Sequence, residues 1–325
     1  MECPRLSELP PPPDGKTGWP WTVETPPLPV TRPDGSPWPR ISIVTPSYNQ
    51  GQFIEETIRS VLLQGYPDLE YILMDGGSTD SSVEIIRKYE RWLGYWVSEK
   101  DRGQAHAINK GFEHVSGEIF NWINSDDALF PNALGSVASL STPDHLVAAA
   151  VLNVSENSSS VLSNRDLTVA NLIGGKRAIF HQPGLWLRTD TLRQIGRLDE
   201  TLQYAFDYQI ITKYLSRHPS VRYTNELVVK FRLHEQSKTM SMQHLFHEER
   251  MLSFKLIMAE PQYRDLHHHC EDRLLWDTWA KQIRILTSSG SKWKAALWLV
   301  AGIAMQPRIR LTRFTLGAIR NLIFS

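Results

Sequence analysis

Between residues 40 and 154 five short apolar runs alternate with four stretches of helical periodicity. This alternation constrains the fold more than any other feature of the chain. "ISIVTPSYN" reads as a buried strand: it is short, rich in β-branched residues, and closed by Pro and Asn. Phe53, Ile54, Thr57, Ile58, Val61 and Leu62 then fall at helical spacing, and the helix is expected to end near Gly65 and Pro67. "EYILMD", "GYWVSE", "EIFNWIN" and "HLVAAAVLNV" repeat the strand pattern. "SSVEIIRKYE", "QAHAINKGFEHV" and "PNALGSVASL" repeat the helical one, with Ser78, Thr79 or Asp80 as candidate caps of the first. Strands that are apolar on both faces must be covered on both. The expected fold is therefore α/β, with a mostly parallel central sheet and helices on both faces.

In such sheets ligands bind beyond the carboxyl ends of the strands. Three of those ends are polar: Thr45–Asn49, Asp75–Asp80 and Asn124–Asp127. Core packing does not explain carboxylates there. In "NWINSDDALF" two adjacent acids close an apolar strand, and burying like charges side by side is costly unless something compensates. A divalent ion would compensate, because Mg²⁺ or Mn²⁺ takes oxygen ligands and commonly only one or two from protein. The competing reading is a helix cap. In "DGGSTD" two glycines let backbone approach a ligand closely, and Asp75 could accept from a base or ribose donor. A plain strand-to-helix turn would carry the same residues. Neither GxGxxG nor GxxxxGK[ST] occurs, so the dinucleotide and P-loop devices are absent. No GxSxG nucleophile elbow occurs either. Asp207 opens an amphipathic helix after an aromatic residue. It is either a cap or a general base. The run His267–His269 diverges on a helix and does not converge on one ion, whereas His181 in "HQPG" stays open as a cleft residue.

The remainder sets boundaries. Residues 1–39 are proline-rich, with Pro10–Pro13 consecutive, and read as an extended arm. Trp19, Trp21 and Trp38 suit packing on the domain surface. From about 155 the periodicity loosens: a hairpin turn, a short strand and helix, the helix of Asp207, and the strand-like "VRYTNELVVKFRLHEQS". Three segments result: an arm over 1–39, a catalytic domain over 40–238 (halves 40–154 and 155–238), and a helical extension over 239–325. Thirty-five basic and 35 acidic residues balance, so net charge points to neither nucleic acid nor an acidic partner. Two cysteines far apart, Cys3 and Cys270, suit a reducing compartment, and the N-terminus lacks the basic-then-apolar pattern of a signal peptide. A cytoplasmic location is expected. Residues 291–325 carry six Lys or Arg and no acid, interleaved with Trp293, Trp298 and aliphatics. They suit a peripheral contact with an anionic membrane or a helical cap packed on the domain.

Three segments in this order, "ISIVTPSYNQGQFIEETIRSVLLQGYPDLEYILMDGGSTD", "SEKDRGQAHAINKGFEHVSGEIFNWINSDDAL" and "GRLDETLQYAFDYQI", resemble the inverting GT-A glycosyltransferases of family 2 that build bacterial polysaccharides. The resemblance covers about residues 40–235 and implies a GT-A fold. It implies transfer of a sugar from a nucleotide-diphosphate donor, a UDP-sugar foremost, to a glycan or lipid-linked hydroxyl. Thr45, Pro46, Tyr48 and Asn49 then fall where the first strand end meets the nucleotide. Asp75 falls on the base-binding aspartate, and Gly103, Gln104, Asn109 and Lys110 fall beside the donor phosphates and ribose. Asn124-Ser125-Asp126 falls on the metal motif, Asp126 as ligand of Mn²⁺ or Mg²⁺ and Asn124 as a second candidate. Asp127 faces the donor sugar or holds the turn, Asp207 is the catalytic base, and His181 and Gln182 are acceptor-side candidates. Two positions depart from the usual pattern: Asn124 replaces an aspartate, and Ile108 stands where many relatives carry arginine. The alternative is a non-catalytic nucleotide-sugar-binding subunit of a synthesis complex. A nucleotidyltransferase would need a basic glycine-rich segment after the first strand, and "TPSYNQGQF" has no Lys or Arg.

Overall fold

A computed structural model describes residues 2–174, 178–234, 237 and 243–305. Within them β1 (Ile41–Ser47), α1 (Ile54–Leu62), β2 (Leu69–Asp75), α2 (Ser82–Tyr89), β3 (Tyr95–Ser98), α3 (Gln104–Phe112) and β4 (Ile119–Trp122) follow the alternation of the sequence. The two-residue β5 (Ala128–Leu129), α4 (Ala133–Leu140), β6 (Leu146–Val154) and β7 (Ser159–Ser163) come next. Then come α5 (Val169–Gly174), β8 (Leu185–Arg188), α6 (Thr189–Ile195), α7 (Phe206–Arg217) and β9 (Val221–Arg232). Three helices close the described chain: α8 (Gln243–Ala259), α9 (His267–Ser288) and α10 (Lys292–Met305).

The strands form one sheet in the order β3-β2-β1-β4-β8-β6-β9-β5, with β7 on β6. The first four are parallel, as expected of strands joined by helical crossovers. Beyond β4 the sheet takes in antiparallel strands, while its long pairings, β1 with β2 and β6 with β9, are parallel, in keeping with the expected mostly parallel sheet. β8 runs antiparallel to both β4 and β6, and β5 antiparallel to β9. β6 and β7 pair antiparallel through a tight turn in which Ser155 N–H donates to Ser158 O at 2.9 Å. A hairpin admits no other direction. β6 and β9 return to a parallel pairing, with register shifts around Ala150.

The alternation within β1 divides the core. Ile41 and Ile43 join α1, α2, β2 and the N-terminal arm on one face. Val44 joins α3, α6 and α7 on the other, where Ile108 is 1% exposed. The position that differs from many relatives therefore faces the core. A third apolar cluster, including Met251, Phe254, Tyr263 and Cys270, packs the C-terminal helices with Ile173 of α5. The arm is held firmly. The fully buried Arg59 of α1 donates to the carbonyls of Pro10, Pro20 and Trp21 and to Tyr89 Oη, at 2.9–3.1 Å. Trp19 Nε1 donates to Leu129 O at 2.8 Å. No helix among the described residues is long and apolar enough to cross a membrane.

Candidate active site

The carboxyl ends of β1 and β4, the loop before α3, the start of α7, the end of β9 and one face of α8 enclose a cleft of about 720 Å³. That size suits a small ligand. Pro46, Tyr48, Gly103, Gln104, Asn124, Asp126, His181, Gln182 and Asp207 all line it. Three buried polar atoms of its wall, Ser47 Oγ, Gln50 Oε1 and Asn153 Oδ1, have no hydrogen-bond partner among the described residues. Buried polar groups are rarely left so, and all three belong to residues that line the cleft.

The two adjacent acids separate in role. Asp126 points its carboxylate toward the cleft, with Oδ2 3.0 Å from His234 Nε2. His234 lies just past β9 and is tilted against the Phe53 ring at 4.9 Å. Asp127 turns the other way and is fully buried. Its Oδ1 accepts from Arg232 N–H at 3.1 Å and its Oδ2 from Asn124 Nδ2 at 3.3 Å. Burial, reinforced by the charge of Asp126, pushes the Asp127 carboxyl well above the usual carboxylate range. That shift disfavours a second charge beside Asp126. Asp127 ties the β4 end to β9 and does not line the cleft. Asn124 directs its carbonyl oxygen to Gln104 Nε2 at 2.7 Å.

Asp207 sits in the first turn of α7, and its Oδ1 accepts from Tyr208 N–H at 2.6 Å. Burial drives its pKa up to about 6, against the downward pull of that backbone N–H and of Arg250. The segment before α7 is held from afar. One carboxylate, Glu249 of α8, accepts from the backbone N–H groups of Gln203, Tyr204 and Ala205 at 2.9, 2.6 and 3.0 Å. These donors precede the helix and would otherwise lack partners.

The other residues singled out from the sequence lie in the walls. Thr45 is buried beneath the end of β1 and accepts from Tyr71 Oη at 3.1 Å. Asn49 has a left-handed φ of 53°, and its Oδ1 accepts from Thr79 N–H at 2.9 Å. Asp75 is 2% exposed and accepts from Gly77 N–H, Ser78 N–H, Ser78 Oγ and Ser98 Oγ at 2.6–3.1 Å. In this arrangement it organises the "GGSTD" turn. Asn109 brackets the loop before α7, accepting from Leu198 N–H and donating to Leu198 O, both at 2.9 Å. Lys110 pairs with Glu99. Gln182 donates to Asn121 Oδ1 and Trp122 O at 2.9 and 3.1 Å, and His181 N–H donates to Asn164 Oδ1 at 2.7 Å. Burial lowers the His181 pKa, which keeps its ring neutral.

Among the described residues no three His, Cys, Asp or Glu side chains cluster as a metal cage. Asp126 and His234 nevertheless form a two-residue donor set, carboxylate and imidazole, at the cleft surface. This suits a dication that draws its remaining ligands from phosphate and water. His234, Arg232, Glu249 and Arg250 were missed in the sequence. The rule of strand ends, applied to β9, would have found the first two.

A mixed sheet of this order, with a polar cleft at its strand ends, is the GT-A fold of nucleotide-sugar transferases. Solved relatives share it. The S. aureus TarS 1-349 structure in complex with UDP-GlcNAc superposes with a TM-score of 0.55 at 18% identity, covering 72% of this chain and 70% of that one. The Pyrobaculum calidifontis mannosyltransferase PcManGT, in complex with GDP-Man and Mn²⁺, gives 0.54 at 20%, covering 88% and 90%. Residues 42–197 match the model of glycosyl transferase family 2. A Rickettsia typhi glycosyltransferase is 28% identical over 215 residues, 62% of this chain and 66% of that one. TuaG of Bacillus subtilis, named for teichuronic acid biosynthesis, is 38% identical over 92 residues, 27% of this chain and 36% of that one. This chain thus spans just under two thirds of the first relative and about a third of the second.

Proposed function

We propose that the protein is an inverting glycosyltransferase that moves a sugar from a nucleoside-diphosphate donor to an acceptor hydroxyl. The observation that carries this reading is the placement of Asp207, with a pKa of about 6, in the same cleft as the Asp126–His234 pair. A general base works best when its pKa lies near the working pH. Asp207 takes the acceptor proton while the hydroxyl attacks the anomeric carbon from the face opposite the diphosphate. A single displacement inverts that carbon, and the cleft needs no second carboxylate as nucleophile. Tyr48, Pro46 and the unpartnered Ser47 and Gln50 atoms hold the donor at the end of β1. Asp126 and His234 would hold Mn²⁺ or Mg²⁺, which when bound supplies positive charge against the departing diphosphate. The UDP-GlcNAc and GDP-Man complexes of the two solved relatives support a nucleotide-sugar donor, with UDP-sugars tried first.

The acceptor is a glycan or lipid-linked hydroxyl met at a membrane surface. On α10, Trp293, Leu297 and Val300 are 66%, 59% and 64% exposed, while Ala295 and Leu299 pack against α9. An exposed apolar helix face bearing tryptophans suits the headgroup level of an anionic bilayer. The rest of the cationic tail, residues 306–325, lies outside the described residues.

The test is donor turnover by Asp207→Asn and by the chelated wild-type enzyme. Transfer should fall by about 10²–10⁴-fold in the variant, with UDP binding retained. EDTA should stop the wild type, and Mn²⁺ or Mg²⁺ should restore it. Normal turnover by the variant removes Asp207 as base, and full activity in chelator removes the metal.

A further inference from the structure

One cation in the cleft wall acts on Asp207 without closing an ion pair to it among the described residues. Arg250 follows Glu249 on α8, and its guanidinium lies 5.5 Å over the Tyr208 ring, lining the same cleft as Asp207. It forms no ion pair with a described carboxylate, and its Nε is buried without a hydrogen-bond partner among the described residues. Its neighbour Glu249 is committed to three backbone N–H groups. Arg273, on α9, is close enough for the two charges to repel. Burial first, then Arg250, push its guanidinium down, and its Nε is likewise buried and unpartnered. Asp207 acts on Arg250 and Asp277 on Arg273, but neither closes an ion pair among the described residues, and a ligand anion would relieve both the desolvation and the repulsion.

We propose that Arg250 is an acceptor subsite: the acceptor carries a phosphate or carboxylate group near the hydroxyl that receives the sugar, and the Arg250 fork binds it. The site lies beside the base. Tyr208, under the guanidinium, directly follows Asp207, so an anion here sits beside the group that takes the acceptor proton. Arginine suits the task because its planar fork grips such oxygens in two places. The inference rests on the glycosyltransferase reading, in which Asp207 marks the acceptor side.

The test uses the full chain saturated with UDP and Mg²⁺, so that the donor side is filled. Methyl phosphate, methyl glucuronide and neutral methyl glucoside are titrated into wild type, Arg250→Gln and Arg250→Lys, with binding read by calorimetry or NMR. The wild type should bind one or both anionic probes and discriminate against the neutral one. The preferred anion distinguishes a phosphate-bearing acceptor from a uronate-bearing one. Arg250→Gln should weaken the preferred anion at least tenfold with UDP affinity unchanged, and Arg250→Lys should fall between. Equal binding of that anion by Arg250→Gln overturns the proposal, as does a wild type that binds neither anion. A parallel loss of UDP affinity also overturns it, by placing the guanidinium on the donor side. If Arg250→Gln does not fold, Arg250→Lys decides: unchanged anion affinity overturns the role of the fork. A wild type that fails to bind UDP at all refutes the glycosyltransferase reading itself, a separate result.

Discussion

Asp126 and Asp127 are neighbours in sequence and opposites in chemistry. One faces a histidine in the cleft, and the other is buried, accepts from Arg232 N–H and Asn124, and has its carboxyl pushed above the usual range by burial. The sequence could pose the problem of two adjacent charges but not which one turned inward, because that depends on Arg232, 105 residues further on. Asp207 invites a quantitative forecast. Its folded pKa of about 6 exceeds the ordinary carboxylate value of about 3.9, so the folded state binds more protons between those limits. The stability it contributes is present below about pH 4 and is lost as pH rises through about 6. Asp207→Asn should therefore melt several degrees above wild type at pH 8, with the gap closing near pH 4, as calorimetry at both pH values would read. Activity should run the opposite way. The wild-type rate should fall about tenfold per pH unit below about 6, the base being protonated there. A flat acid limb in the kcat profile would count against Asp207.

At the scale of elements, the strands and helices over 40–154 were legible because β1, β2 and β4 are buried on both faces and α1 and α2 carry one apolar stripe. The antiparallel β5 was not, since two residues leave too little pattern, and the short strand that forms β8 carries no sign of its direction, which β4 and β6 set. The same holds for α8. Nothing local in "LFHEERMLSF" announces that Glu249 satisfies three N–H groups before α7. Glu249→Ala leaves those donors to water or to nothing, a loss of about 1–3 kcal/mol for each one left buried. The expected outcome is a lower melting temperature together with a drop in kcat larger than the change in UDP affinity. Unaltered kcat in a folded Glu249→Ala protein would show that the cap does not position Asp207.

The whole molecule is closed by contacts between its two ends and its middle. Arg59 grips three carbonyls of the arm, so Arg59→Ala should release residues 1–39 to limited proteolysis and cost about 3–5 kcal/mol, the range for breaking a buried, charged network. At the other end, Trp293→Glu with Trp298→Glu should abolish cosedimentation with anionic vesicles while leaving UDP binding intact. Retention on vesicles by that double variant would argue that α10 does not contact lipid. The arm was legible as extended from its prolines and tryptophans. Its anchor was not, because a lone arginine on a helix carries no sign of what it will hold.

Glu249 and the amide of Ala205 are 44 residues apart. At a synthesis rate of about 5–20 residues per second, the base-bearing loop leaves the ribosome several seconds before the carboxylate that fastens it. The nascent chain can assemble β1 to β4 before then, but the segment ahead of α7 stays unfastened until α8 is made. On this timetable the segment that carries the proposed base is fastened later than the strands that carry the proposed donor site.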